Sequence, residues 1–413
     1  MCVLLLLGGC ALSYTDTMEK VDRDLVAQQP QAALKQLESL SGGKDQALYL
    51  LNKAMVLRMM GNYDASVQSF EQAKPLIQYL EATSVTENAA ALTLTENLRA
   101  YNPPLYERLL AHVYQGLNYL QLGQADSARV EASQIDDLLK RLYPNVDAAP
   151  NGGDAFPRYF SGLVYENMGQ FSDAMIAYRQ AYKSYKAQGA NDASIPRDLQ
   201  ESLCRFAEFL GLTDELNDYK QRFHMDHWTP VSLQDPDGQL VFIYGDGMGP
   251  VKYAQTAVLP DPVNNHFYSV TLPVIRRRTR ESYAEISAGG EHATTSQVAS
   301  IADDAEEQYK ADRPKLLAAE FARNVTRTVA ANKADQSAPG LGAVVSLVAS
   351  AVDTADIRIW STLPDNIQVA RLRLPPGTYD LTVNARGGTR VLKGVAIRAG
   401  EITFSSLQMG SLQ

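Results

Sequence analysis

The residues of this chain that could carry catalysis or bind a metal are few and scattered. His224, Asp226 and His227 form the stretch HMDH, and imidazole and carboxylate groups are ligand types that zinc accepts. A lone H-x-x-H pair, however, lacks a further nearby ligand at the spacing of known zinc sites. We therefore expect no metal at this stretch.

The stretch GDGMGP (245–250) has the glycine content of a phosphate-binding loop. Such a loop needs a helix N-terminus behind it to offer amide groups to the phosphate, whereas Pro250 and the strand-like VKYAQTAVLP follow here. The sequence also contains no G-x-S-x-G, no C-x-x-C and no recognisable cysteine–histidine arrangement. We therefore predict a non-enzymatic protein without a cofactor, and a hairpin loop at GDGMGP.

Arginines are concentrated in IRRRTR (275–280), at the end of a predicted strand in a chain of net charge −9. The cluster consists of Arg276, Arg277, Arg278 and Arg280. Because the planar guanidinium group suits carboxylates and phosphates, one function left open is a peptidoglycan- or lipid-binding module that uses this cluster. The other interpretation is an exposed strand end that precedes a loop.

Cys10 follows VLLLLGG (3–9), a pattern similar to the bacterial lipobox, in which small residues precede a cysteine that becomes lipidated. No Lys or Arg precedes the apolar run, which is shorter than that of a normal signal peptide, so we expect the true signal to begin upstream of Met1. Residues 1–9 would then be a signal-peptide remnant, and acyl chains on Cys10 would anchor the protein. Ala11 is not the aspartate that commonly retains lipoproteins at the inner membrane, which favours the periplasmic face of the outer membrane.

Composition and the other cysteines narrow the function classes further. Cys2 would leave with the signal, so Cys204 has no disulfide partner and is expected to be a core thiol. The net charge of −9 excludes general nucleic-acid binding, which needs a basic face. No later stretch reaches the roughly 18 apolar residues of a transmembrane helix. GLGAVVSLVASAV (340–352) is shorter and rich in small residues, which favours a buried or oligomerising helix.

Glycines and aromatic residues recur in the first half at the spacings of a tetratricopeptide repeat. The strongest of three matches is PRYFSGLVYENMGQFSDAMIAYRQAY (157–182), and the others lie at 109–135 and 47–75. Small residues fall where two helices must approach, and a glycine ends the first helix of each pair. These glycines are Gly61, Gly123 and Gly169. Gly211 takes the same position in a degenerate pair at 197–222.

The repeats predict an all-α, TPR-like helical solenoid over residues 10–228, with a concave face that binds a protein or peptide. Its small and aromatic repeat residues are expected to pack the core. The partner-binding candidates are positions that face the groove from the first helix of each pair. They are Arg58, Met59, Gln121, Glu166 and Asn167.

Residues 229–413 show the apolar–polar alternation that is typical of strands. LVFIYGDG (240–247) predicts a strand, and ARLRLPPGTYDLTVNA (370–385) predicts a hairpin. Residues 297–353 between the strands are predicted to be helical. The expected fold class is therefore α+β, with the all-α solenoid followed by an antiparallel β-sandwich domain that carries a helical insertion.

The stretch DIRIWSTLP (356–364) lies between a predicted helix and a predicted strand. Its tryptophan could belong to a recognition patch, or it could seal a helix against the sandwich. We favour the seal, with Trp360 buried and Asp356 paired with Arg358, since a large aromatic side chain gains most from burial.

Two segments, 101–132 and 354–381, resemble a family of uncharacterised proteobacterial lipoproteins with TPR-like repeats, and the resemblance covers essentially the whole mature chain. Its specific positions in the first half are Tyr106, Glu107, Asn118, Tyr119, Gly123 and Glu131. In the second half they are Asp356, Arg358, Trp360, Leu363, Pro364, Pro376 and Gly377. The resemblance implies no activity. It implies a role in cell-envelope assembly, because such lipoproteins are often encoded beside lipoproteins that activate peptidoglycan synthases.

Together these features predict an outer-membrane lipoprotein that acts as a periplasmic protein–protein interaction scaffold in envelope assembly. Its partners would be the membrane, through the lipid anchor, and one or more envelope proteins. The sequence leaves open the identity of that protein, whether the groove takes a peptide or a folded domain, and the oligomeric state.

Overall fold

The computed structural model describes residues 9–86, 99–144, 152–260, 267–280, 282–338 and 355–410. Within this part of the chain, the first ten helices form five consecutive pairs. The pairs are α1 (Gly9–Val26) with α2 (Pro30–Leu37), α3 (Gln46–Met59) with α4 (Tyr63–Thr86), α5 (Leu105–Gln121) with α6 (Ala125–Leu142), α7 (Ala155–Asn167) with α8 (Phe171–Ala187), and α9 (Arg197–Phe209) with α10 (Thr213–Phe223). Cys10 lies in α1, while residues 1–8 of the predicted signal remnant lie outside the described residues.

Left-handed glycines shape the tight turns between the helices of a pair. Gly61, Gly123, Gly169 and Gly211 have φ angles of 73°, 71°, 69° and 69°, a conformation that residues with a Cβ rarely adopt. Gly162 in α7 meets a different need, because a Cβ there would collide with the ring of Tyr178 in α8. The predicted glycine caps and the close approach of paired helices are confirmed.

The C-terminal part contains strands in two sheets and one separate hairpin. The strands are β1 (Gly238–Asp246), β2 (Val251–Pro260), β3 (Phe267–Arg276), β4 (Glu285–Ala288), β5 (Glu291–Thr294), β6 (Ser296–Ser300), β7 (Asn366–Leu374), β8 (Gly377–Ala385), β9 (Gly388–Ile397) and β10 (Ile402–Met409). The first sheet has the order β10-β1-β7-β6, and the second has the order β5-β4-β8-β9. Strands β2 and β3 pair only with each other among the described residues. The α+β class is confirmed.

The hairpin predicted for residues 370–385 is wrong. Strands β7 and β8 are consecutive, but they belong to different sheets, so the chain crosses from one sheet to the other at Pro375 and Pro376. A two-residue hairpin loop needs positive φ angles, and the proline ring fixes φ near −65°. The hairpin expected around GDGMGP is also wrong, because β1 pairs with β7 and β10 and not with β2.

One strand pair departs from the expected antiparallel arrangement. Strand β10 pairs with β1 in parallel, from Gln239 opposite Ile402 to Asp246 opposite Met409. A parallel neighbour requires a long crossover, and the whole chain between β1 and β10 supplies it here. Strand β10 therefore forms one edge of the first sheet.

The first sheet is buried on both faces. On β1, Val241 and Ile243 pack into the core of the helices, whereas Leu240, Phe242 and Tyr244 join a second core with β4 and β8. The first sheet thus lies between the helices and the second sheet, and it covers the inner helices of the pairs.

The predicted helical insertion is one long helix in its described part. Strand β6 is followed by α11 (Ile301–Ser337), which packs against β3. Residues 297–300, predicted as helix, are strand, and the small-residue stretch 340–352 lies outside the described residues. None of the described helices is long and apolar enough to span a membrane.

Candidate functional site

Residues 355–365, which we call the interface segment, run between the helices and the first sheet. The Trp360 side chain is 1% exposed and packs edge-on against Phe70 and Tyr114, with ring centroids 6.1 and 6.4 Å away. These two rings belong to α4 and α5. The predicted sealing role of Trp360 is confirmed, since it closes the space between two helix pairs and the sheet.

Glu107 of α5 fixes the backbone of the interface segment. Its buried carboxylate accepts hydrogen bonds from the hydroxyls of Tyr101 and Tyr106, at 2.6 and 3.1 Å, and from the backbone N–H of Trp360 at 3.1 Å. Burial raises the pKa of Glu107, against the effect of these donors. The Glu107 side chain therefore holds the interface segment in place, and its burial leaves it inaccessible to a ligand.

Arg358 ties the same segment to the first helix pairs. Its guanidinium group binds Asp356 through two bonds of 2.8 and 2.7 Å and also pairs with Asp45. The predicted pairing of Asp356 with Arg358 is confirmed. Burial alone would raise the pKa of Asp356, but Arg358 holds that pKa below its usual value.

A buried ion network joins β7 to the later helix pairs. Arg371 binds Asp198 at 2.7 Å and Glu166 at 2.9 Å, and Arg205 binds the same Glu166 at 2.8 Å. Tyr178 donates a further hydrogen bond to Glu166. Burial alone would raise the pKa of Glu166, but the two guanidinium groups hold it below its usual value. The network is a structural tie between the sheet and the helices.

A cleft runs along the edge strand β10, where the helices and the two sheets meet. Its larger cavity has a volume of 560 Å³ and lies between helix residues and two strands. Tyr63, Gln121 and Asn167 form the helical wall, and residues 392–396 of β9 and 402–406 of β10 form the other walls.

A second cavity of 230 Å³ continues the cleft toward the end of β10. Arg58 and Met59 of α3 and residues 406–408 of β10 line it. It shares Tyr63 and Leu392 with the larger cavity. The two cavities together follow β10 from residue 402 to residue 408, and we call them the β10 cleft.

The residues predicted to face the partner-binding groove divide between this cleft and the ion network. Arg58 and Met59 line the smaller cavity, and Gln121 and Asn167 line the larger one. Glu166 is buried beneath β7 in the network with Arg371. The broad concave groove is therefore narrowed by the chain's own first sheet to the β10 cleft.

The charges that line the β10 cleft are mostly positive, in contrast to the net charge of −9 of the whole chain. Arg58, Lys393 and Arg398 contribute positive charge to the described lining, and Glu401 is its single carboxylate. Glu401 pairs with Arg398 at 3.3 Å. The lining thus favours an anionic group.

The four arginines of the predicted basic cluster do not form one basic surface. Arg278 is largely buried and pairs with Asp22 of α1, and Arg277 pairs with Asp303 of α11. Arg276 and Arg280 are exposed, and the Arg276 guanidinium group lies 5.9 Å from the centre of the Tyr253 ring. Arg277 is exposed as well, but it lies beside a carboxylate, so the cluster presents less positive charge to a polyanion than the sequence suggests.

The HMDH stretch and Cys204 offer no reactive arrangement in the described structure. His224 and His227 are exposed after the end of α10, and the described residues include no group of three or more His, Cys, Asp or Glu side chains placed to hold a metal. Cys204 is buried as a free thiol. Burial raises the pKa of this thiol to about 11, which keeps it protonated and unreactive.

The cleft residues contributed by the strands were missed from the sequence. The sequence did indicate that the first sheet packs against the helices. LVFIY (240–244) in β1 is a continuous apolar run, and such runs are typical of strands buried on both faces. No sequence pattern marked Leu392 or residues 402–408 as cleft residues, since their position follows from the pairing of β10 with the distant β1.

Comparison with known proteins identifies a repeat in the helical part. Residues 158–188, which cover most of α7 and α8, match the tetratricopeptide repeat family. No curated protein matches the chain significantly. Among solved structures, the chain is similar to a crystal structure of MamA protein, with 16% identity over 52% of this chain and 91% of that chain, and a TM-score of 0.33. It is also similar to residues 41 to the end of MamA from Desulfovibrio magneticus RS-1, with 14% identity over 51% of this chain and 92% of that chain, and a TM-score of 0.32. The chain thus contains a tetratricopeptide repeat.

Proposed function

We propose that this protein is a non-enzymatic scaffold that binds a partner protein in the β10 cleft. The observation that carries the proposal is the cleft itself, where helix residues and residues 402–408 of an edge strand line one concave surface. The tetratricopeptide repeat at 158–188 supports it, because repeats of this kind present concave binding surfaces. The rest of the inner helical face lies against the first sheet, so a partner would reach the helices only beside β10.

We further propose that the scaffold is anchored by acylated Cys10 at the periplasmic face of the outer membrane and acts in envelope assembly. The lipobox-like VLLLLGG before Cys10 supports the anchor, and the absence of aspartate at position 11 supports the outer membrane. In fractionated cells, Cys10→Ser should move the protein from the membrane to the soluble fraction. A variant protein that still sediments with the outer membrane would refute the anchor.

The docking surface can be tested by incorporating a photoreactive amino acid at single positions in cells. Lys393 of β9 and Asn167 of α7 both line the β10 cleft, whereas Val130 is exposed on the outer helix α6 and serves as the matched control. We expect one and the same protein to crosslink at both cleft positions and not at Val130. A fourth position, Arg280, tests the basic cluster. Specific adducts at Arg280 or Val130, with none in the cleft, would refute the proposed docking surface.

A further inference from the structure

Strand β10 presents an unpaired edge to the cleft. It is the outermost strand of the first sheet, and no described strand pairs with its other side. The side-chain amide of Gln121 donates to the carbonyl of Phe404 at 2.9 Å, which shows that the backbone of this residue points away from β1. Because backbone direction alternates along a strand, Ile402 and Ser406 also point their N–H and C=O groups away from β1, whereas the Phe404 carbonyl already accepts from Gln121.

The cleft follows the edge along which one more strand would pair. It extends along β10 from residue 402 to residue 408, and residues 392–396 of β9 also line its larger cavity. Unpaired strand edges are templates for the addition of an extended peptide, whose main chain pairs with the edge while its side chains enter neighbouring pockets.

The smaller cavity holds a buried cation without a counter-ion among the described residues. Among the buried arginines of the described chain, Arg158, Arg205, Arg323 and Arg358 each pair with a carboxylate at less than 4 Å. Arg58 instead donates only to the side chains of Asn118 and Ser406. A buried charge is costly unless it is paired. We therefore expect the Arg58 guanidinium group to bind an anionic group from outside the chain.

The surroundings of Arg58 suit an anionic group. The centres of the Tyr63 and Tyr114 rings lie 5.5 and 5.6 Å from the guanidinium carbon. No Asp or Glu is found among the residues that line this cavity. A planar guanidinium group matches the geometry of carboxylates and phosphates, and a carboxylate is the anionic group that every protein partner carries.

We propose that the β10 cleft takes an extended segment of a partner protein as an added strand on β10, with a carboxylate of that segment bound to Arg58. The inference rests on the proposed function, because it states how the partner is held in the same cleft. The carboxylate comes either from an Asp or Glu side chain or from the C-terminus of the partner.

The test uses a pool of random twelve-residue peptides and the full chain carrying Cys10→Ser. The pool is prepared once with free and once with amidated C-termini, and the tightest binder is identified by affinity selection and mass spectrometry. A selected peptide should bear a carboxylate and crosslink to a photoreactive residue at position 393. Arg58→Met should weaken its binding at least about tenfold, as expected when one partner of a buried charge pair is lost.

Controls separate the contact from a folding defect. Arg58→Gln keeps a polar side chain without the charge and should show the same loss, while Arg280→Met changes an exposed arginine outside the cleft and should leave binding unchanged. Replacing the peptide carboxylate by an amide should cause a similar loss in the wild type and no further loss in Arg58→Met. Binding to amidated peptides identifies a side chain as the source, and binding only to free C-termini identifies the terminus.

Backbone pairing has its own readout. Methylation of single peptide nitrogens should abolish binding at alternate positions and spare those between, because only every second residue of an added strand donates to β10. Suppose that a selected peptide crosslinks at position 393, binds Arg58→Met as tightly as the wild type, and shows no alternating effect of N-methylation. That result would overturn this inference and leave the proposed function standing. Failure to select any peptide that crosslinks in the cleft would overturn the inference, and if no protein crosslinks there in cells, the proposed function falls as well.

Discussion

Arg371 shows how single side chains join the two parts of the molecule. It projects from β7 between Glu166 of α7 and Asp198 of α9, and its side chain is only 12% exposed. Arg373, two residues along the same strand, pairs with Asp235 and is 43% exposed. The two arginines of β7 therefore differ in their surroundings: Arg371 is buried between the sheet and the helices, whereas Arg373 is half-exposed.

Replacing Arg371 by Met should destabilise the protein by about 3–5 kcal/mol, because it leaves buried carboxylates without one of their cations. Arg373→Met is the matched control and should cost less, about 1 kcal/mol, since the Arg373 guanidinium group is 43% exposed and Asp235 keeps a hydrogen bond from the Asp237 N–H. Urea denaturation followed by circular dichroism measures both changes. Equal effects of the two substitutions would contradict the structural role of the ion network.

Residue roles were predictable only where the interaction is local. The pairing of Asp356 with Arg358 lies within one short stretch and could be predicted from sequence. The partners of Arg371 lie 173 and 205 residues earlier in the chain, so nothing near Arg371 in sequence identifies them. The position of Arg58 in the β10 cleft likewise depends on a residue far away in sequence, because Arg58 donates to Ser406.

Elements were predictable where backbone chemistry restricts them. The glycines at 61, 123, 169 and 211 marked the turns of the helix pairs, because few other residues tolerate a positive φ. Apolar alternation located the strands, but not their partners. At residues 375–376 the two prolines exclude a two-residue hairpin loop. That β7 and β8 do not pair with each other could therefore have been predicted from the sequence.

The start of α11 carries a carboxyl group whose ionisation opposes folding. Burial, together with Asp303, Asp154 and Glu307, raises the pKa of Asp304 to about 8. An unfolded aspartate has a pKa of about 3.9, so the folded state retains a proton that the unfolded state has lost between these values. The contribution of Asp304 to stability therefore falls as the pH rises from about 4 to 8.

Asp304→Asn should remove this dependence. The free energy of unfolding of the variant, relative to the wild type, should rise steadily between pH 5 and pH 8, as measured by urea denaturation at several pH values. Thr328→Ala, at an exposed position farther along the same helix, changes no ionisable group and serves as the control that should show no such trend. A difference between Asp304→Asn and the wild type that stays constant with pH would contradict the raised pKa.

At the scale of the whole molecule, the helices and the sheets form one folded body. The interface segment, the Arg371 network and β1 place parts of the C-terminal half inside the core of the helices. Many positions of the family resemblance lie at this junction, among them Glu107, Asn118 and Trp360. The described first half is helical, as predicted, and contains a tetratricopeptide repeat at 158–188. The expected concave face, however, lies largely against the first sheet.

The most direct test of this account is the unfolding of the variant Trp228→Phe, in which Trp360 is the single remaining tryptophan of two. Its fluorescence reports the junction, and circular dichroism at 222 nm reports the helices. We predict that both signals change at the same urea concentration in one transition, because the helices depend on the sheet that covers them. Exposure of Trp360 at lower urea, with the helical signal intact, would show that the helices fold alone and can open their inner face to a partner.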